Sequence, residues 1–235
     1  MPDRLAVTWP DVGSLARACL LVVPVGSCEQ HGPHLPLDTD TTIAQALVDA
    51  VCGQPHVLAT APLAYGASGE HQGFPGTLSI GTRVLTEVVV ELVRSARDSC
   101  AGVVLVNAHG GNARALAAAR RRCAAEGDRL FIFPVRVEGG DAHAGRTETS
   151  LMLAIAPEQV RMDRLVPGRT EGLETLWPVL RSAGVRGVSP TGVLGDPTLA
   201  SAEEGHRLLA ELADRLAGAL QSWWREVDVA ALTRS

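Results

Sequence analysis

The stretch "ACLLVVPVGSCEQHGPHLPLDTDT", residues 18–41, changes character halfway along its length. Its first half is a continuous apolar, β-branched run that ends at Pro24 and Gly26, a pattern typical of a strand buried on both faces of a sheet. Its second half crowds potential metal ligands among glycines and prolines: Glu29, His31, His34, Asp38 and Asp40. A buried strand followed at once by such side chains predicts a functional site at the strand's carboxyl end.

The rest of the chain alternates between strand-like and helix-like segments. Apolar runs typical of strands recur at 56–66, 101–112 and 129–137. Patterns typical of helices occur at 39–53, 81–100, 113–126, 147–160 and 201–226, whereas residues 165–200 lack strong periodicity. This alternation predicts an α/β fold with one domain over residues 1–235, built on a mainly parallel β-sheet flanked by helices.

Composition narrows the class of protein. The net charge of −5 leaves no basic surplus to neutralise phosphates, so we expect no nucleic-acid partner. All basic residues are arginine, which excludes lysine-based catalysis. Five cysteines without a C-x-x-C pair favour reduced thiols. No segment resembles a signal peptide or approaches the roughly 20 apolar residues of a membrane span. We therefore expect a cytoplasmic protein without a membrane partner.

Further candidate ligands follow the other predicted strands. Glu29 and His31 are separated by one residue, so they project to the same side of an extended chain, and Asp40 begins the next helix. His109 follows the third strand, and Glu148 opens the helix after the fourth. This set of nitrogen and oxygen ligands suits Zn²⁺, Fe²⁺ or Mn²⁺. Five ligands exceed the needs of one tetrahedral ion and favour two divalent ions that share a carboxylate.

Each of these residues also has a simpler explanation when it is taken alone. Asp40 suits a helix N-cap, Glu148 complements a helix dipole, and single buried histidines are commonly structural. The turn "NAHGGN", residues 107–112, offers backbone N–H groups to a phosphate, but it lacks the Lys and Ser/Thr of a P-loop. Clustering at strand ends favours the metal site over these separate explanations.

Other residues are predicted to support the site or to contact the substrate. The long Gly-rich loop 66–81 is either an ordered surface loop or a substrate wall, and its candidate substrate-binding residues are Glu70, His71, Phe74 and Thr77. Three residues are expected to support the ligands from behind without binding the ions: Cys28, His34 and Asn112. Asn112 is also expected to cap the helix that follows it.

Four ordered motifs together resemble the creatininase-type amidohydrolases. They are "PVGSCEQHGPHLPLDTD" (24–40), "GEHQGFPGTLSIGT" (69–82), "NAHGGN" (107–112) and "HAGRTETSLML" (143–153). The resemblance extends from about residue 20 to 210. It implies a creatininase-like fold, a homo-oligomer, metal ligation by Glu29, His31 and His109, and a bridging role for Asp40.

The sequence departs from the family pattern at one ligand. Creatininase has a metal-binding glutamate two residues after the histidine of the third motif, and this chain has Gly111 there. The resemblance implies that Glu148 replaces the missing ligand and that His143 handles protons near the substrate; His143 and Glu148 are therefore the candidate catalytic residues. The departure also argues against creatinine as the substrate. Cys28 stands where the family has a small residue.

Two segments are similar to the mycofactocin-system branch of this family: "APLAYGASGEHQGF" (61–74) and "VSPTGVLGDPTLASAEEG" (188–205). That similarity implies a metal-dependent peptidase that acts on a modified ribosomal precursor peptide and releases its cross-linked C-terminal Val–Tyr unit. Two alternatives stay open. One is an amidohydrolase for a small cyclic amide or formamide, and the other is a non-catalytic metal-binding scaffold in a biosynthetic complex.

Overall fold

The computed structural model describes residues 7–15 and 17–232, with side chains described as far as residue 227. The ends of the predicted domain, residues 1 and 235, lie outside this part. The strands are β1 (Leu20–Val25), β2 (Val57–Ala59), β3 (Gly102–Asn107) and β4 (Leu130–Pro134). The helices are α1 (Trp9–Ser14), α2 (Thr39–Val51), α3 (Gly81–Ala96), α4 (Ala113–Ala125), α5 (Arg146–Ile155), α6 (Leu173–Val188) and α7 (Ala202–Leu232). Short 3₁₀ turns lie at Gly69–His71, Gly110–Asn112, Pro157–Gln159, Met162–Arg164 and Pro197–Leu199.

The four strands form one parallel sheet in the order β2-β1-β3-β4. Each strand falls inside a segment whose apolar run predicts a strand, so the α/β prediction is confirmed. β1 has a neighbour on both sides because the chain passes to β2 on one edge and returns to β3 on the other. The strand order therefore reverses between β1 and β3, and ligands of open α/β sheets bind at the carboxyl ends of strands at such a point.

Helices cover both faces of the sheet because successive strand residues point to opposite sides. Along β1, Val22 belongs to the core under α2, α5 and α7, and Val23 belongs to the core under α3 and α4. The first core includes Leu47, Leu151 and Leu212, and the second includes Leu85, Leu105 and Leu116. Both faces are buried, which explains why β1 and β3 appear as continuous apolar runs in the sequence.

The segment 165–200 contains a helix that its sequence pattern does not predict. α6 has Pro178 in its interior and a break at Gly184, where φ is +65°. Leu173 and Trp177 are exposed, so no regular apolar stripe marks the helix. A side chain at Gly184 would lie against the backbone carbonyl of Glu70, so the glycine lets α6 approach the 66–81 loop.

No helix among residues 7–15 and 17–232 is long and apolar enough to cross a membrane.

We expect the buried side chains of β3, one of the two central strands, to contribute strongly to the stability of the fold. Leu105 is fully buried in the core, and Leu105→Ala should lower the free energy of unfolding by about 2–5 kcal/mol, because it removes apolar contacts and leaves a cavity. Leu199→Ala is the matched control, since Leu199 is 71% exposed and should change stability by less than about 0.5 kcal/mol. Urea unfolding of both variants measures this difference. Equal changes in the free energy of unfolding would contradict the placement of Leu105 in the core.

Candidate metal centre

Five predicted ligands converge at the carboxyl ends of β1 and β3. Glu29 and His31 follow β1, His109 follows β3, and Asp40 and Glu148 lie in the first turns of α2 and α5. Four of the five are almost fully buried, and the Glu148 side chain is 21% exposed. The fold thus concentrates carboxylates and imidazoles at the point where the strand order reverses.

The two oxygens of Asp40 face different histidines. Asp40 Oδ1 lies 3.2 Å from His31 Nε2, and Asp40 Oδ2 lies 3.4 Å from His109 Nδ1. His31 Nε2 is also 3.9 Å from Glu148 Oε2, and His109 Nε2 is 3.2 Å from Glu29 Oε2. A carboxylate placed between two such groups has the arrangement that a bridging ligand needs.

The donor set fits divalent cations. Both carboxylate oxygens of Glu29 are buried without a hydrogen-bond partner among the described residues, although His71 Nε2 and His109 Nε2 lie 3.3 and 3.2 Å away. Leaving a buried carboxylate unsatisfied is costly, and a bound cation would remove that cost. In the part of the chain that the structure describes, three sets of side chains are close enough to hold an ion: Glu29–His31–Asp40, Glu29–His71–His143 and His31–His143–Glu148.

The carboxylates favour the protonated form of two of the histidines. Burial lowers the pKa of His31, but Asp40, Glu148 and Glu29 outweigh it and raise that pKa to about 10. Burial also opposes the charged form of His109, yet the nearby carboxylates of Asp40 and Glu29 hold its pKa well above the ordinary value. The carboxylates of the site therefore favour positive charge beside them, here as protons on His31 and His109.

In His71, His143 and Glu148 the effect of burial prevails, so their pKa values shift toward the neutral form. Burial and the nearby His109 and His31 lower the pKa of His71 to about 4, and burial with repulsion from His31 and His71 holds the pKa of His143 well below its ordinary value. Burial and the nearby Asp40 raise the pKa of Glu148 to about 7 despite the attraction of His31. His71 and His143 are thus neutral near pH 7, and Glu148 exchanges a proton in that range.

The family model described as creatinine amidohydrolase matches residues 6–220. The chain belongs to the creatininase family. It is 50% identical over 210 residues to the mycofactocin precursor peptide peptidase of Mycolicibacterium smegmatis, covering 87% of this chain and 85% of that relative.

Creatininase structures share the fold. The structure named "Creatininase Mn" has a TM-score of 0.76 at 27% identity and covers 93% of this chain and 97% of that one. A creatininase variant described as "Zn-Zn type" has a TM-score of 0.77 at 26% identity, with 93% and 96% covered. The family resemblance seen in the four motifs is therefore confirmed.

Glu70 and His71 lie directly against the proposed ligands. They were predicted to line a substrate wall, but His71 Nε2 is 3.3 Å from Glu29 Oε1, and Glu70 Oε1 is 3.4 Å from His109 Nε2. A side chain at Gly111 would overlap the Glu70 carboxylate. In this member of the creatininase family, a loop glutamate thus occupies the space beside the histidine of the third motif.

The other two loop residues have different surroundings. Phe74 packs in a small apolar cluster with Leu176, and the Arg186 guanidinium lies 5.9 Å from its ring centre. Thr77 Oγ1 accepts a hydrogen bond from the backbone N–H of Gln30 at 3.1 Å. Thr77 therefore holds the segment that carries Glu29 and His31.

The three predicted supporting residues bond to different parts of the fold. His34 Nε2 lies 2.9 Å from Thr149 Oγ1, one residue beyond Glu148. The Cys28 thiol lies 3.7 Å from the Gly76 carbonyl oxygen in the 66–81 loop. His34 thus ties the first motif to α5, and Cys28 ties it to the loop.

Asn112 holds the loops under the site together. It is the residue before α4, but its side chain does not cap that helix, so the capping prediction is wrong. The side-chain oxygen accepts from the N–H of Ala67 at 2.8 Å, and the side-chain nitrogen donates to Gly26 O and Asn107 Oδ1, both at 3.0 Å. These three bonds join the ends of β1 and β3 to the 66–81 loop. The side chain of Asn112 is therefore not available to cap α4.

Two residues at the site were not predicted. Ser27 Oγ donates to Asp40 Oδ2 at 2.6 Å, and the buried Gln30 side chain contacts both His71 and His143. Their position inside the first motif was the available signal. Simple alternation would turn Gln30 away from the side shared by Glu29 and His31, but the chain is no longer a regular strand at this point.

Metal binding should release protons. His31 holds a proton below about pH 10 in the protein alone, and a ligating imidazole must be neutral, so affinity should rise with pH. Adding Zn²⁺ at pH 7 in weakly buffered solution should acidify it, and His31→Gln should release fewer protons. His206→Gln, an exposed histidine on α7, is the control and should match the unaltered protein. Binding without proton release would contradict this electrostatic account.

Proposed function

We propose that this chain is a metal-dependent peptidase that cleaves the modified mycofactocin precursor peptide and releases its cross-linked C-terminal Val–Tyr dipeptide. The observation that carries the proposal is Asp40, whose two oxygens face His31 and His109 beside the unsatisfied carboxylate of Glu29. The name and 50% identity of the Mycolicibacterium smegmatis relative support the choice of substrate.

Two divalent transition metal ions are proposed as cofactors, with Zn²⁺, Fe²⁺ and Mn²⁺ all suited to the ligands. The proposed ligands are Glu29, His31, Asp40, His109 and Glu148. Ions held there would polarise the scissile carbonyl and activate water for attack on it. The "Creatininase Mn" and "Zn-Zn type" neighbours support metal dependence of this kind.

His143 and Glu148 are the candidates for proton transfer. His143 is neutral near pH 7, so it can accept a proton from the attacking water. Glu148, with a pKa of about 7, can donate one to the leaving amine. Ser27 and the backbone N–H of Ala144 donate to Asp40 and Glu148, each at 2.6 Å, and fix these carboxylates during the reaction.

The substrate enters where the site is exposed. The Glu70 and Glu148 side chains are 35% and 21% exposed, whereas Glu29 and His31 are fully buried. The peptide therefore approaches along the side of the site that the 66–81 loop and the start of α5 form. Phe74 and Thr77 complete the proposed substrate-binding set with Glu70 and His71.

The proposal extends to assembly and location. We propose a cytoplasmic homo-oligomer of one-domain subunits, with no nucleic-acid or membrane partner. All five cysteines are free, which is in keeping with a reducing compartment. Tyr65, Leu78 and Val84 are exposed apolar residues in the 66–81 loop or within three residues of it, and they suit a contact between subunits. Light scattering of the purified protein tests the assembly.

Loss of the proposed ligands should abolish hydrolysis. Glu29→Gln and His109→Ala should lose bound metal and lower kcat/KM on the modified precursor peptide by at least about 10³-fold, because the carbonyl is no longer polarised. Glu158→Gln, an exposed glutamate after α5, is the control and should keep both properties. Mass spectrometry of products and metal analysis measure the outcome.

The same assay separates the alternatives. Hydrolysis of small cyclic amides or formamides with no cleavage of the peptide would favour the amidohydrolase alternative. Bound metal without turnover of either substrate would favour the scaffold. Full peptidase activity after exhaustive chelation would exclude metal-dependent catalysis.

A further inference from the structure

The backbone around Gln30 fixes the orientation of its side-chain amide. Gln30 Oε1 accepts from the N–H of Gly32 at 2.8 Å, and Gln30 Nε2 donates to the carbonyl of Gly192 at 3.1 Å. A backbone N–H only donates and a backbone carbonyl only accepts, so the amide cannot be reversed. The Nε2 end, which carries two hydrogens and no lone pair to share, therefore points between His71 and His143.

A count of donors and acceptors then determines the protonation of both rings. Gln30 Nε2 lies 2.9 Å from His71 Nδ1 and 3.0 Å from His143 Nε2, so with Gly192 O three acceptors compete for two hydrogens. His143 Nε2 also lies 2.9 Å from the backbone carbonyl of Gln30. If His143 carries its proton on Nε2 and donates to that carbonyl, the two amide hydrogens serve His71 Nδ1 and Gly192 O. His71 Nδ1, Gly192 O and the Gln30 carbonyl then each accept a hydrogen bond, and neither amide hydrogen of Gln30 is left over.

The same tautomer gives the two histidines opposite roles. His71 has its hydrogen on Nε2, and this nitrogen lies 3.3 Å from Glu29 Oε1, so the ring turns the positive end of its N–H bond toward the carboxylate. His143 has its lone pair on Nδ1, which lies 3.8 Å from the same oxygen and has no hydrogen to offer. One ring therefore turns an N–H toward the buried carboxylate, and the other presents an acceptor toward the site.

We propose that Gln30 is a positioning residue that sets both His71 and His143 as Nε2–H tautomers. His71 then turns its N–H toward Glu29, and His143 keeps Nδ1 free to accept a proton. The catalytic consequence rests on the proposed peptidase function, but the tautomer assignment does not.

The segment after α6 supports this role. Gly192 has a φ of +82°, and a side chain there would overlap the Gln30 amide. His143 and Leu194 exchange backbone hydrogen bonds of 3.1 and 2.9 Å, which hold this segment beside the His143 ring. Contact with Gln30 and His143 therefore gives a structural role to part of the "SPTGVLGDP" motif (189–197), which has no other role in the proposed reaction.

Gln30→Glu tests the proposal because it keeps the shape of the side chain and replaces the donor with an acceptor. In ¹⁵N-histidine spectra of the Zn²⁺-loaded protein, His71 and His143 should both show an unprotonated Nδ1, with signals assigned from His71→Gln and His143→Gln. In Gln30→Glu the His71 Nδ1 should become protonated. With the precursor peptide, kcat should fall about 10- to 100-fold while KM changes less than about threefold and metal content is kept.

Gln45→Glu is the matched control, since Gln45 lies on α2 and its amide donates to Asp49 at 3.2 Å, away from these rings. It should leave both tautomers and kcat unchanged. A protonated His71 Nδ1 in the unaltered protein, or an unprotonated one in Gln30→Glu, would overturn the proposal. If Gln30→Glu fails to fold, Gln30→Met removes the donor without adding charge, and an unaltered His71 signal there would also overturn it. Absence of peptide hydrolysis in the unaltered protein would defeat the proposed function but leave the spectra decisive for Gln30.

Discussion

Glu29 and Asp40 bring two carboxylates into the interior of the fold among four imidazole rings, and much of the surrounding structure serves to make that burial tolerable. β1 and β3 form a rigid apolar floor, because their residues are buried on both faces. Above that floor, Ser27 bonds Asp40, and Asn112 ties three chain segments together. Among the described residues, none donates a hydrogen bond to the Glu29 oxygens, so the charge of Glu29 is balanced by the nearby histidines and, in the proposed enzyme, by metal.

The four histidines divide into two pairs according to the carboxylates around them. His31 and His109 each lie within 3.4 Å of an oxygen of Asp40, and their pKa values are raised. His71 and His143 lie farther from Asp40 and have lowered pKa values because burial dominates. His31 and His109 therefore favour a bound proton, which a metal ion would replace. His71 and His143 stay neutral, and both lie within hydrogen-bond distance of the Gln30 side chain. Asp40, with the help of Glu29 and Glu148, thus gives rings of the same chemical type different pKa values.

The strands and the individual ligand candidates were accessible from sequence because each depends on local information. β1, β3 and β4 appear as continuous apolar runs, and Glu29, His31 and Asp40 lie close together in one motif. The remainder depends on contacts between distant segments. Gln30, after β1, contacts His143, in the turn before α5, and Gly192, in the segment after α6. Contacts between residues so far apart in the chain leave no periodic pattern in the sequence. The sequence pattern did not predict α6 for a related reason. The helix breaks at Gly184, where the backbone packs against the carbonyl of Glu70, and that contact leaves no mark in the periodicity of the helix itself.

Gly111 shows how a site can keep its charge while the element that supplies it changes. The family resemblance places a glutamate at this position in creatininase, two residues beyond the histidine of the third motif. In this chain the carboxylate of Glu70 fills the adjoining space and lies 3.4 Å from His109 Nε2, so a side chain at 111 and Glu70 in its present place exclude each other. The 66–81 loop therefore adds a third carboxylate beside His109, next to those of Glu29 and Asp40. The Glu70 side chain is also 35% exposed, so this third carboxylate lies at the open side of the site, whereas Glu29 and Asp40 lie in its buried interior.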